Sequence, residues 1–413
     1  FACKFIRKTQ VLRNYLLIYY QSSGIQKYRE INALQALGGF YRMADITYHE
    51  QEEQHNLDLI RNVCNDLPDY VKRFVRGVQQ TTSPRTRLGY VRDIKIFFEY
   101  ICEVYTEHPC DTPKDVSLDV LSSIDTFFIE DYLDYLQKYE KNGRIYTNGK
   151  SALKRKLCAL SVLFNYLYKH DMLQENIFDK VDRPKLPEKA ITRMDADETA
   201  NFLDTVEYGT NLTDRQLKFH EKSKVRDLAI MTLMLSTGIR ISECVGLDLN
   251  DVDFKNTCIR VTRKGGKEAI VYFSDEAVEP LQEYIEERKK LTPAKGSENA
   301  LFLSSHHSRI NVRTIQNMVK KYSQIAVPLK HITPHKLRST YGTALYQETS
   351  DIYLVADVLG HSDVNTTRKH YADMDDYRKR RARNTVQLRE HNTVPDTKSK
   401  KIAILKIHQL LLS

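Results

Sequence analysis

Apolar residues fall into two regimes along this chain. From about Leu67 to Asp179 they recur at helical spacing. Leu88, Val91, Ile94, Phe97, Phe98 and Ile101 mark one amphipathic helix, opened by Ser83 as N-cap with Pro84 at the first helical position. Leu153, Leu157, Leu160, Leu163, Phe164 and Leu167 mark a second. The segment Lys180-Val-Asp-Arg-Pro-Lys-Leu-Pro187 has two prolines and no apolar period, and reads as an interdomain linker. Beyond it, Val225 to Leu235 is apolar on nearly every face, as a buried helix is, and stops at Thr237-Gly238. Thr257 to Thr262 and Ala269 to Phe273 are short runs rich in branched residues around Lys264-Gly265-Gly266-Lys267, a hairpin signal. Helices return at 314–324, at Thr333-Pro334 as cap and first position, and at Asp351 to Leu359, closed by Gly360. The pattern predicts a mainly α protein with a small β-sheet: a helical domain at 65–180, a linker at 181–192 and a second domain at 193–390.

Composition narrows the partners. The 413 residues are 41% apolar and 28% charged, ordinary for a soluble globular protein. No apolar run approaches the roughly 20 residues needed to cross a bilayer, so no membrane partner is expected and a cytoplasmic location is. The seven cysteines (Cys3, Cys64, Cys102, Cys110, Cys158, Cys244, Cys258) are scattered without a Cys-x-x-Cys pair, which indicates neither a disulfide framework nor a zinc knuckle. Net charge is +9, but residues 1–42 hold seven basic residues and one acid, so +6 of it lies there. That segment precedes the first methionine, Met43, and reads as a non-native or disordered extension; residues 391–413 read as a mobile tail. Nucleic-acid binding therefore has to rest on local patches. Two stand out: Arg85, Arg87, Arg92 and Lys95, read on the face opposite the first apolar stripe, and Lys150, Lys154, Arg155 and Lys156 near the start of the second helix. Each is either a solvated helix surface or a phosphate contact.

The last 180 or so positions carry the chemistry. Arg240 lies in Leu235-Ser-Thr-Gly-Ile-Arg240-Ile-Ser-Glu243, Lys264 in Arg263-Lys264-Gly-Gly-Lys267, His335 and Arg338 in Thr333-Pro-His335-Lys-Leu-Arg338, and His361 in Leu359-Gly-His361-Ser-Asp363; Tyr371 follows. Guanidinium forks match phosphate oxygens and are always charged. Histidines and a lysine can move protons near neutral pH, and a tyrosine hydroxyl is a competent nucleophile in such company. His335 and Arg338, three apart on one helix, share a face near its N-terminus. Thirteen histidines, His306, His307, His331 and His370 among them, invite a metal reading, yet none shows His-x-x-x-His or a carboxylate cluster at ligand spacing. No Gly-x-x-x-x-Gly-Lys-Ser/Thr loop is present, so neither a metal nor a nucleotide cofactor is expected.

These motifs, in this order, make the chain resemble the tyrosine recombinase (phage integrase) family, most closely its Xer-like and transposon-integrase members. The resemblance covers roughly 320 residues and is most specific in the second domain. It implies a helical, SAM-like core-binding domain followed by a catalytic domain that cleaves and rejoins double-stranded DNA through a 3′-phosphotyrosyl intermediate. Tyr371 matches the nucleophile, Arg240 and Arg338 the oxygen-binding arginines, Lys264 the general acid for the 5′-oxygen with Lys267 as local competitor, and His361 a phosphate-binding histidine that could instead merely cap a helix. Glu243 would brace the site. It also implies a homo-tetramer on paired sites, with accessory proteins an open question. One departure stands: many members place the nucleophile nine residues beyond this histidine, whereas Tyr371 lies ten beyond His361, a difference of about 100° of helix. Tyr377 is the nearest other tyrosine. A type IB topoisomerase shares the tyrosine and arginines, but the Leu-Gly-His-Ser-Asp signature favours a recombinase. A silent architectural DNA-binding protein would need no nucleophile.

Overall fold

The computed structural model describes residues 47–105, 110–186, 192–263 and 265–361, together with Val364. The segment 1–42, Lys264, Tyr371, Tyr377 and the tail 391–413 lie outside the described residues. The chain divides into two compact units, Phe1–Lys189 with Lys264–Lys267 and Ala190–Arg263 with Glu268–Ser413.

The first unit contains α1 (Tyr48–Cys64), α2 (Asp69–Gly77), α3 (Pro84–Val104), α4 (Leu118–Ser123), α5 (Thr126–Gln137), the strands β1 (Lys138–Lys141) and β2 (Arg144–Thr147), and α6 (Lys150–Lys169). Ser83 caps α3 as its sequence predicts, its hydroxyl accepting from the Thr86 amide, with Pro84 in the first turn. Both predicted stripes are buried: Val91, Ile94, Phe97, Phe98 and Ile101 of α3 meet Leu157, Leu160, Leu163, Phe164 and Leu167 of α6 in one core. Each such side chain contributes about 1.5–3 kcal/mol relative to exposure. The same core includes Ile60 and Cys64 of α1, ahead of the helical stretch that the sequence pattern marks from Leu67. A reciprocal Thr47–Glu50 capping box starts that helix.

Two expectations for this unit need correction. The stretch 67–179 is not wholly helical, because Asn142 and Gly143 take positive φ (53° and 70°) and turn β1 back on β2, Tyr139 opposite Tyr146. Two left-handed residues in succession suit a two-residue hairpin and suit no helix. Arg87 does not share a solvated face with Arg85 and Arg92; it is 8% exposed. Helical geometry explains this, since Arg87 lies four and seven positions from the buried Val91 and Ile94, close to one and two full turns.

The second unit contains α7 (Ala196–Tyr208), α8 (Asp214–His220), α9 (Lys224–Thr237), α10 (Ile241–Gly246), strands β3 (Val252–Asp253), β4 (Cys258–Thr262) and β5 (Glu268–Tyr272), then α11 (Val278–Lys289), α12 (Val312–Ala326), α13 (Pro334–Thr349) and α14 (Ile352–Leu359). As its all-round apolarity predicts, α9 is central: α7, α11 and α13 pack on it, and Ile230, Met231 and Leu233 are fully buried. The predicted hairpin is present, in register from Cys258 opposite Tyr272 to Thr262 opposite Glu268, and β3 adds a short third antiparallel strand. Thr333 stands at the N-cap of α13 with Pro334 following, but its side chain makes no capping bond. Among the described residues the fold is thus mainly helical with two small antiparallel sheets.

Candidate active site

The helix α9 ends because Gly238 takes φ 62°, a left-handed conformation costly for any other residue here, since an added Cβ would also strike the Tyr341 ring. The turn delivers Arg240 to the N-cap of α10. Glu243, 4% exposed, holds it twice: one carboxylate oxygen accepts from the Arg240 backbone N–H at 2.8 Å and the other from Nη1 at 2.8 Å. Arg240 Nη2 then donates to the carbonyl of Gly360 at 3.0 Å. The bracing role expected of Glu243 has a direct geometric basis.

Arg338, one turn into α13 and 4% exposed, donates from Nη1 to the Gly238 carbonyl at 2.7 Å and from Nη2 to the Leu359 carbonyl. His335, three residues earlier, is exposed. The two are three apart on one helix, but Arg338 is buried and His335 is exposed.

Both arginines therefore meet the end of α14. That helix closes on Gly360 at φ 63°, with the Gly360 N–H donating to the Asp357 carbonyl at 2.8 Å and the His361 N–H to the Ala356 carbonyl at 2.9 Å. His361 is thus fixed by its backbone immediately after the turn, half-buried. The last carbonyls of a helix lack intrahelical donors and carry its negative end. Guanidinium groups from two distant segments supply the missing donors at Leu359 and Gly360, and so converge beside His361. A guanidinium has five N–H donors, and the Arg240 side-chain bonds to Glu243 and Gly360 use two of them while 36% of its side chain stays exposed. It can accept an anion without releasing either bond.

The strands β4 and β5 bring Arg263 and Lys267 to the turn around Lys264, which itself lies outside the described residues, as does Tyr371. Gly265 and Gly266 both take positive φ (84° and 76°), the reason this turn needs glycines. Cys244, on α10, is no rival nucleophile, because burial pushes its thiol up to about 12. Among the described residues no group of three or more His, Cys, Asp or Glu side chains is arranged to hold a metal.

The basic patches of the first unit separate into different roles. Arg85, Arg92, Lys150 and Lys154 are exposed. Lys95 pairs with Asp66 at 2.6 Å, and Arg155 pairs with Asp93. Sequence reasoning missed two features here: the hairpin with exposed Lys138 and Arg144, which its Asn-Gly turn announces, and Arg263, whose partners lie on α14, more than 90 positions away.

Three arginine side chains, those of Arg240, Arg263 and Arg338, thus meet the carbonyls at the end of α14, next to His361. The model of the phage integrase family matches residues 192–378. Among curated proteins, the tyrosine recombinase XerS of Streptococcus uberis is 35% identical over 308 residues, covering 68% of this chain and 85% of the relative. XerS of Lactococcus lactis subsp. cremoris is 31% identical over 338 residues, covering 76% and 93%. The chain belongs to the tyrosine recombinase, or phage integrase, family, whose members cleave and rejoin DNA. The fold is that of the XerH site-specific recombinase in its post-cleavage complex with palindromic difH substrate (TM-score 0.59, 20% identity, 83% of this chain and 92% of that one). It is also that of the Tn1549 transposon integrase with circular intermediate DNA (TM-score 0.53, 21% identity, 75% and 98%). No helix among the described residues is long and apolar enough to cross a membrane.

Proposed function

We propose that this protein is a site-specific recombinase in which Tyr371 attacks a scissile phosphodiester of double-stranded DNA to form a 3′-phosphotyrosyl intermediate. The observation that carries the reading is the convergence of Arg240 and Arg338 on consecutive carbonyls at the end of α14, beside His361. Arg240, Arg338 and His361 neutralise the charge developing on the non-bridging oxygens. Preorganised donors of this kind are each worth about 10²–10³ in rate.

The bonds balance within the protein. The Tyr371 oxygen forms a bond to phosphorus as the bond to the 5′-oxygen breaks. His335 takes the phenolic proton, and Lys264 gives one to the departing oxygen, leaving a 5′-hydroxyl. Rejoining to the partner strand reverses these steps, and the bond energy is kept without a nucleotide or metal cofactor. Arg85, Arg92, Lys150 and Lys154 contact the DNA backbone and position the duplex. Four copies act on two paired sites, each passing its segment after Tyr371 to a neighbour. Integration and excision of a mobile element and resolution of replicon dimers both use this exchange, and accessory proteins would select between them.

The test is a duplex with a nick beside the cleavage site, which traps a covalent protein–DNA adduct. The parent and Tyr377→Phe should form it, and Tyr371→Phe should bind the duplex without forming it. An adduct in Tyr371→Phe, or one mapped by mass spectrometry to another tyrosine, would overturn the mechanism. A protein that binds duplex and forms no adduct under any condition would support the architectural reading instead.

A further inference from the structure

Cys102 and Cys110 stand eight positions apart, a spacing that carries no signal in the sequence, yet the fold brings their sulfurs to 2.6 Å. Among the described residues this is the one contact between two cysteines. Both belong to the core of the first unit, Cys110 buried and Cys102 partly so. Two thiols packed as small apolar groups are the plain alternative. Packing does not ask for this approach, since the separation exceeds a disulfide bond by only about half an ångström.

The backbone is anchored on both sides of the pair. Cys102 lies in the last turn of α3, where the Tyr105 N–H donates to the Ile101 carbonyl at 2.8 Å and the Tyr105 and Ser123 hydroxyls meet at 2.6 Å. Past Cys110, Thr112 and Asp115 form a reciprocal capping box around the turn Pro113–Asp115, and the Val116 carbonyl accepts from the buried Tyr70 hydroxyl at 2.9 Å. Two separately held segments thus present their sulfurs to each other, and joining them needs little rearrangement.

We propose that Cys102 and Cys110 are a redox-responsive pair, which a small-molecule disulfide such as glutathione disulfide converts to an intramolecular disulfide that locks the end of α3 to the segment leading to Pro113. One cysteine sulfur, losing its proton, attacks a sulfur of the oxidant and expels one thiol. The other cysteine then loses its proton and displaces the second thiol from the mixed disulfide. The pair gives up two electrons and two protons, and the oxidant leaves as two thiols. Burial first, then the Cys110 thiol and the Asp115 and Asp111 carboxylates, push the Cys102 thiol up to about 12, so its thiolate is scarce at neutral pH and the exchange is slow. A reducing medium keeps the pair as thiols. Once formed, the bond constrains the unfolded chain and stabilises the first unit.

The experiment incubates the full chain with glutathione disulfide, alkylates the remaining thiols and digests beside glutamate, which cuts at Glu103 and Glu107 between the two cysteines. Mass spectrometry should find the two peptides joined through Cys102 and Cys110, and separate after dithiothreitol. Thermal unfolding should show the transition of the first unit rising by about 5 °C on oxidation and returning on reduction. Cys102→Ser and Cys110→Ser should each abolish the cross-link and the rise; the peptide map of the parent decides even if neither variant folds. Alkylation of both thiols after prolonged oxidation, glutathione retained on either cysteine, or a cross-link from either to another cysteine would overturn the inference. A cross-link that leaves the transition unchanged or lowers it would overturn the lock.

Discussion

Lys156 Nζ lies 3.4 Å from the Asp93 carboxylate, and both side chains are almost wholly removed from solvent, at 5% and 3% exposure. Arg155 approaches the same carboxylate from the more exposed side, so Asp93 joins α3 to α6 through two cations on one helix. Burial lowers the Lys156 pKa and Asp93 opposes that shift. Asp93→Asn keeps the shape and removes the opposing charge. It should destabilise the first unit by about 3 kcal/mol at neutral pH, the order expected when a buried ion loses its partner. A lysine whose folded pKa is depressed binds fewer protons folded than unfolded, so stability rises with pH between the folded value and 10.5. The deficit of Asp93→Asn should therefore shrink as pH rises toward 10. Denaturant unfolding at pH 7 and pH 9.5 measures it, and a deficit that grows with pH would refute the account.

Glu243 offers a test of how the arginines are held. It receives both the backbone N–H and a guanidinium N–H of Arg240, so Glu243→Gln weakens two charge-assisted bonds without opening a cavity. Adduct formation should slow about tenfold while duplex binding and the melting temperature change little. Arg240→Ala should be slower still, by about 10²–10³. If Glu243→Gln and Arg240→Ala prove equally slow, Glu243 does more than brace.

How much of this was legible beforehand follows from the range of the interactions involved. The burial of α3, α6 and α9, the β4–β5 hairpin and the cap of α14 at Gly360 are all written in local periodicity or in one glycine, and the structure bears them out. Arg240 and Arg338 are legible as types and spacings, but not their meeting on Gly360 and Leu359, because nothing local connects positions 120 and 21 apart. Arg263 gave no signal for the same reason. Arg87 was misread for a different one: charge outweighed helical arithmetic when the face was assigned. The β1–β2 hairpin had its signal in Asn142-Gly143, which was absorbed into a helical stretch because its strands are only four residues long.

That hairpin supplies a prediction of its own. All four residues of β2 are exposed, Arg144 among them, and so is Lys138 on β1. A two-stranded ribbon fits the DNA major groove, and charge of this sign favours it there. Arg144→Ala should weaken duplex binding severalfold and lower the slope of log affinity against log salt by about 1. Filter binding from 50 to 200 mM salt tests it; an unchanged slope would place the ribbon away from the DNA.

The two arginines Arg87 and Arg92 give the sharpest contrast, because they sit five positions apart on α3 and differ in environment rather than in type. Arg92 is exposed, with no ion pair among the described residues. Arg87 is 8% exposed, and its Nε is buried without a hydrogen-bond partner among the described residues. Arg92→Ala should leave stability within about 0.5 kcal/mol, as surface substitutions usually do, while reducing duplex affinity and the salt slope by about one phosphate contact. Arg87→Ala should do the reverse: a stability loss of about 1–3 kcal/mol from the cavity and lost packing of its stem, with a salt slope equal to the parent's once the folded fraction is taken into account. A salt slope reduced in Arg87→Ala and unchanged in Arg92→Ala would mean that the face of α3 turned toward DNA is the one assigned here to the core.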